Sequence, residues 1–420
     1  MRVAVLSWES LHTVQVGGLA VASTRLAEGL AKARHHVYFF TRRALGQPEY
    51  MHINGVHYHT CLFDPGPNTL AFAYNMSKRM LESIDLVERY EGDFDIVHGH
   101  DWLVADALHE LKNKGYPVVL TYHSTEYGRN GGVLGDFWES RQIAGKEWYG
   151  GYIADRVTTV SQSMKNELNK HYQIPFEKID VVPNALEPVH VKLKVDRGRV
   201  RSRYGIPSSG PLVLTMGRLE YQKGPDILLE AIPTVLKSRP DTRFVFAGEG
   251  SMKTHLRIRC NTLGVAHATW FLGFVPHSEL LELLNSVDIV CIPSRNEPFG
   301  IALLQAWAAE KPVVATDVGG LGENVDHLVN GVKVSPSPGS LAEGICHLLN
   351  SRATMKQLGK QGARKVREFS WTKIIGRLLD TYSTVLAPVS AGDEKSSEMS
   401  RHDISPATNL SYLAVRSLTD

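Results

Sequence analysis

The sequence predicts an α/β protein of two similar units, each a parallel sheet covered by helices, facing one another across a cleft. Three observations carry that prediction. Short apolar runs alternate with stretches of helical spacing through the first half of the 420 residues, the pattern of a parallel sheet wrapped on both faces. The rhythm breaks over residues 186–210, rich in Pro, Lys, Arg, Ser and Gly, and then restarts. The residues with the most chemistry follow predicted strands directly, and doubly wound sheets bind ligands beyond the carboxyl ends of their strands.

The elements follow in order. Val3-Ala4-Val5-Leu6 is a buried strand, and after Gly17-Gly18 the apolar residues Leu19, Ala22, Leu26 and Leu30 keep helical spacing. Val37 to Phe40, Asp95 to His98, Val118 to Thr121 and Arg156 to Val160 are further strands. Helices are predicted near Leu103 to Lys112 and from Gln162 to His171. Residues 186–210 are the connection. In the second half Leu212 to Met216, Arg243 to Ala247, Thr269 to Leu272, Ile289 to Ile292 and Val313 to Thr316 are strands, and Asp226 to Lys237 is a helix. A last helix runs from Phe369-Ser370-Trp371 to near Leu386, and the Ser-rich polar tail beyond Pro388 is expected to be flexible.

Composition narrows the function classes. Hydrophobic residues make up 43% and charged residues 21%, with a mean hydropathy of −0.16, which excludes a mainly disordered chain. At this length two domains are the natural expectation. The net charge of +2 gives no reason to expect nucleic-acid binding. Four scattered cysteines without a CxxC point to free buried thiols in a reducing compartment. The apolar run after Met1-Arg2 is too short for a secretory leader, and no run reaches the ~20 apolar residues of a membrane span. The expected location is cytoplasmic.

The loops after the strands hold the candidate site. Gly17-Gly18 leads into a helix whose N-terminal amides suit an anion. Arg218 and Lys223, in Gly217-Arg218-Leu219-Glu220-Tyr221-Gln222-Lys223-Gly224, place two cations in one loop, enough for a diphosphate. In Glu297-Pro298-Phe299-Gly300-Ile301 the amides of Phe299, Gly300 and Ile301 fall at a helix start, Glu297 suits sugar hydroxyls, and Gln305 lies two turns on. His98 and His100, in His98-Gly99-His100-Asp101-Trp102, share a strand face. They suggest a metal less than a polar site lining the cleft, because no further ligand is evident. Asp93-Phe94-Asp95 is an ordinary strand entry. His123, in Tyr122-His123-Ser124-Thr125-Glu126-Tyr127, and Asn184, in Val182-Pro183-Asn184-Ala185, are further cleft candidates by position.

Together these segments resemble the retaining glycosyltransferases of the GT-B fold, with two facing Rossmann-like domains, and within them the glycogen synthase-like, group 1 (family 4) kind. The resemblance covers residues 1–387 and rests on Gly17-Gly18-Leu19, His98 to Trp102, Tyr122 to Tyr127, Met216 to Leu219 with Lys223-Gly224, and Glu297 to Gly300. It implies an acceptor domain over 1–187, a nucleotide-sugar domain over 188–370, a crossover helix over 371–387 and a tail over 388–420. It also implies roles. Arg218 and Lys223 hold the donor diphosphate, Glu297 the donor sugar, and the amides of Phe299, Gly300 and Ile301 assist. His123 sits beside the reacting carbon, Gly17 and Gly18 face the donor, and Asp101, His123 and Asn184 lie on the acceptor and sugar side. No metal or cofactor is implied, because the two cations carry out the electrostatic task.

Two departures stand out. Gln305 occupies the position of a usual second glutamate, and Glu310 stands where a glycine is usual. The substrate implied is ADP- or UDP-glucose with an α-1,4-glucan acceptor. A lipid-linked, sugar-phosphate or surface-polysaccharide acceptor is the first alternative. An epimerase or hydrolase using the histidines as acid and base is the second, and a non-catalytic sugar-binding protein the third. The oligomeric state is not readable.

Overall fold

The computed structural model describes residues 1–387; the tail over 388–420 lies outside the described residues. The first sheet contains β1 (Arg2–Leu6), β2 (His36–Arg42), β3 (Tyr50–Ile53), β4 (Val56–Cys61), β5 (Ile96–His100), β6 (Val118–Tyr122), β7 (Arg156–Thr159) and β8 (Ile179–Val181). Their order is β3-β4-β2-β1-β5-β6-β7-β8, and every pairing is parallel except β3 with β4. The second sheet contains β9 (Leu212–Met216), β10 (Arg243–Ala247), β11 (Thr269–Gly273), β12 (Ile289–Ile292), β13 (Val313–Thr316) and β14 (Val332–Val334), in the order β11-β10-β9-β12-β13-β14. The strand order reverses at β1/β5 and at β9/β12, and such switch points open a crevice at the carboxyl ends of the strands.

The hairpin β3–β4 is an element that no apolar run predicts. In β4 the histidines His57 and His59 occupy the half-exposed face while Val56, Tyr58 and Thr60 are buried, so polarity alternates without an apolar run. Asn54 and Gly55, both at positive φ, form the two-residue connection that an Asn-Gly pair favours. The connection over 186–210 is also more structured than its composition suggests. It contains the helix Arg197–Arg203, whose buried Arg201 donates to Asp288 at 3.0 Å. That carboxylate also accepts the Leu212 amide at 2.9 Å, tying the segment to the start of β9.

The helix Trp371–Leu386 returns to the first sheet. Ile374, Ile375, Leu378 and Tyr382 join Val3, Val5, Leu26, Leu30 and Val119 in one buried cluster. Gly29 makes that approach possible, since a Cβ there would lie 2.7 Å from Cγ1 of Ile375. Burying these side chains stabilises the contact by about 1.5–3 kcal/mol each.

Candidate active site

A cleft of about 1940 Å³ lies between the loops that leave the two sheets. Its walls include Gly17, Gly18, Asp101, His123, Asn184, Arg218, Lys223, Glu297, Phe299, Gly300, Ile301 and Gln305, so the structure brings every one of these candidates to one place. They arrive from the ends of β1, β5, β6 and β8 on one side and of β9 and β12 on the other.

On the second sheet's side, Arg218 is exposed and Lys223 donates to both oxygens of Glu297 at 2.8 Å. Ser294 adds a hydroxyl to Glu297 at 3.1 Å, and the Glu297 carbonyl accepts the Gly320 amide at 2.8 Å. Gly300 caps the helix Ile301–Ala308, and Phe299 packs edge-on against Phe369 at 5.5 Å.

The first sheet's side is arranged differently from expectation at several points. Gly17 does not hold a free amide: Oε2 of Glu9 accepts the N–H of Val16 at 2.5 Å and of Gly17 at 2.9 Å. The protein's own carboxylate therefore occupies the position proposed for an anion. Gly18 faces the other unit, where a Cβ would come within 3.3 Å of Cδ1 of Ile301, so this glycine lets the two walls approach. Asp101, at φ 58°, is buried and accepts the backbone N–H of His123 at 2.7 Å. Its carboxylate thus holds a loop of its own domain rather than standing free for an acceptor sugar, and burial pushes its pKa up to about 6.

The histidine pair also differs. His98 and His100 are fully buried and neither lines the cleft. Nδ1 of His98 meets the hydroxyl of Tyr382 at 2.7 Å and its Nε2 meets Oγ1 of Thr121 at 2.6 Å, leaving no free nitrogen for a metal. Among the described residues no three His, Cys, Asp or Glu side chains are grouped to hold one. His98 instead joins the returning helix to the sheet. His123 reaches the cleft, backed by His100, whose Nδ1 lies 3.0 Å from Nε2 of His123. Burial lowers the pKa of His123 to about 3, so the ring is neutral at ordinary pH.

Sequence reasoning missed two further groups. One is Glu9, a single acid eight residues before Gly17, whose position after β1 was its only signal. The other is the set of half-buried Arg129 with the buried Glu126 and Glu147. Arg129 donates to Glu126 at 2.9 Å, to Glu147 at 2.8 Å and to Ser124 at 2.8 Å. Glu147 also accepts the Glu126 amide at 2.8 Å and the hydroxyl of Tyr172. Burial raises the pKa of Glu147 to about 7 despite Arg129. This network braces the loop that carries His123.

Comparison with known proteins agrees with this architecture. Residues 16–189 match the family described as Glycosyltransferase Family 4, and residues 196–365 match Glycosyl transferases group 1. An uncharacterized glycosyltransferase of Methanocaldococcus jannaschii is 35% identical over 394 residues, covering 92% of this chain and 99% of that protein. The chain belongs to the group 1 glycosyltransferases. A glycogen synthase of Mycobacterium tuberculosis is 30% identical over 91% of this glycosyltransferase and 94% of its own length. A D-inositol 3-phosphate glycosyltransferase of Segniliparus rotundus is 29% identical over 92% and 89%. Among solved structures, a sucrose-phosphate synthase from Thermosynechococcus elongatus superposes with a TM-score of 0.77 at 22% identity, over 91% of this chain and 98% of that one. These likenesses place the enzyme in the GT-B fold. No described helix is long and apolar enough to cross a membrane.

Proposed function

We propose that this enzyme transfers glucose, with retention, from ADP- or UDP-glucose to the non-reducing end of an α-1,4-glucan. The observation that carries the reading is the pair of cations, Arg218 and Lys223, set across one cleft from the neutral, buried-backed His123. As the sugar–phosphate bond breaks, negative charge grows on the departing diphosphate. Arg218, Lys223 and the start of the helix Ile301–Ala308 are the groups aimed at it, the preorganised electrostatics that dominate many enzymes. Glu297, released from Lys223 by the bound donor, takes the sugar hydroxyls. Retention follows a front-face course in which the leaving phosphate oxygen takes the acceptor's proton. Two cations at the diphosphate make a resident metal or cofactor unnecessary.

The glycogen synthase relative supports the glucan acceptor. A solved neighbour holding UDP-glucose, and another holding ADP and acarbose, support the donor class. The free cysteines, three of them buried, suit the cytoplasm. A second reading, a phosphorylated acceptor, draws on the inositol phosphate relatives and on Arg42. That guanidinium lines the cleft 4.5 Å over the Trp8 ring, with Nε and Nη2 unpartnered.

Incubation with labelled ADP-glucose and UDP-glucose, each with maltooligosaccharides or with inositol 3-phosphate, separates the readings. Chain extension through α-linkages supports the first. Transfer to the phosphate acceptor alone favours the second, and free glucose as the sole product from both donors rejects both.

A further inference from the structure

The rings of His98, His100 and His123 form a stack that runs from the core to the cleft. Centroids of His98 and His100 lie 4.5 Å apart at 27°, and those of His100 and His123 lie 5.2 Å apart at 28°. The stack follows from register: β5 and β6 are parallel, His98 pairs with Val119 and His100 with Thr121, so His123 continues the same face two residues on. His98 has a hydroxyl on each nitrogen. His100 does not: its Nδ1 meets Nε2 of His123, and its own Nε2 is buried without a partner.

One proton is shared across the 3.0 Å contact between two neutral rings. If His123 donates it, His100 must carry its own proton on Nε2, leaving a buried N–H with no acceptor. If His100 donates it, the orphan is only a lone pair. Orphaned buried N–H groups are the rarer and more costly case. The second arrangement puts the proton of His123 on Nδ1. That atom makes no hydrogen bond among the described residues and belongs to a ring that lines the cleft.

We propose that His100 is a positioning residue that holds His123 with its proton on Nδ1, so that His123 presents an N–H donor to the substrate. This rests on the transfer reading above. Both nitrogens of His123 are then committed, Nε2 accepting from His100 and Nδ1 donating to a sugar hydroxyl or leaving phosphate oxygen. His123 has no lone pair with which to act as a base, and the acceptor's proton must go to the leaving phosphate. The ring binds and orients; it does not abstract.

Two measurements test this. Long-range ¹H–¹⁵N correlation on the histidine-labelled enzyme is expected to show Nδ1 of His123 protonated and Nε2 unprotonated. The opposite pattern overturns the proposal whether or not a substrate has been found. The second compares His100→Asn with His100→Gln. Asparagine places an amide near the old Nδ1, where it can still donate to His123; glutamine places it near the old Nε2, where it cannot. His100→Asn is expected to retain most of kcat. His100→Gln is expected to lose on the order of tenfold in kcat, the size of one neutral hydrogen bond, with nucleotide affinity unchanged because Arg218 and Lys223 are untouched. Equal kcat in the two variants overturns the role of His100.

Discussion

The two walls of the cleft solve opposite electrostatic problems. On the first sheet's wall several polar groups are already matched, Asp101 with the His123 amide, Arg129 with Glu126 and Glu147, and Glu9 with the amides of Val16 and Gly17, while Arg42 keeps Nε and Nη2 without a partner. On the second sheet's wall Arg218 stands exposed, and Lys223 rests on Glu297, a partner that a sugar can replace. Under the proposed transfer, the groups that would meet a growing anion are kept available, while the carboxylates of the first wall are already held by their own domain. The difference teaches how the proposed transfer would divide its work, with the second wall supplying most of the charge and the first wall a fixed geometry.

The comparison breaks most plainly at the cations. Arg218→Ala and Lys223→Ala are each expected to cut kcat on the order of 100-fold or more. Melting temperature should move little for Arg218→Ala, since that side chain is exposed. Near-normal turnover in both variants would remove the charge-supplying role from this wall. Glu297→Gln should cost on the order of tenfold, and calorimetry should show it as weaker binding of the nucleotide sugar with binding of the bare nucleotide retained. A loss of both affinities alike would mean that Glu297 acts only by holding Lys223.

The opposite wall is probed by pH. Asp101 accepts a hydrogen bond as a carboxylate, and its pKa is raised to about 6 by burial. Its active form is the ionised one, so transfer should fall as pH drops through about 6. The sign for stability is the reverse. A carboxyl whose folded pKa lies above its unfolded value stabilises the fold below the unfolded value, near pH 4, and loses that contribution as pH rises through about 6. Asp101→Asn should therefore be slower, lack this acid limb, and be at least as stable as the parent at pH 7. An unchanged acid limb in that variant would assign it to another group.

Smaller effects sharpen the same contrast. Tyr382→Phe removes the hydroxyl on Nδ1 of His98 and should cost about 1–3 kcal/mol in urea denaturation by leaving a buried nitrogen unpaired. Transfer should stay within about twofold. A large drop in rate with unchanged stability would give the buried stack a more direct part in the chemistry. Smallest of all is the effect of a strong chelator, expected to leave activity within about twofold if Arg218 and Lys223 do the work of a metal. Loss of activity that magnesium restores would place a divalent ion on the donor wall.

Much of this was legible in sequence because both signals are local. Buried parallel strands are short apolar runs, and loops after their carboxyl ends hold the polar chemistry, so Arg218, Lys223, Glu297 and His123 could be named from position alone. The hairpin β3–β4 was not legible by apolar run, since His57 and His59 interrupt it, although Asn54-Gly55 marked its turn.

What the sequence by itself determined is the alternation of elements, the two-unit plan and the strand ends from which the site is built, all set by hydrophobic period and by turn residues. What only the tertiary structure decided is which of those polar groups remain available. His98 and His100 look equivalent two residues apart, yet Tyr382, 284 positions on, satisfies one of them, and only His123 backs the other. Glu9 takes the Gly17 amide, and Gly18 serves the approach of Ile301. The physical reason is that burial and hydrogen-bond partnership are properties of the assembled neighbourhood: desolvation raises Asp101 and neutralises His123 only once other strands and helices exclude water from them.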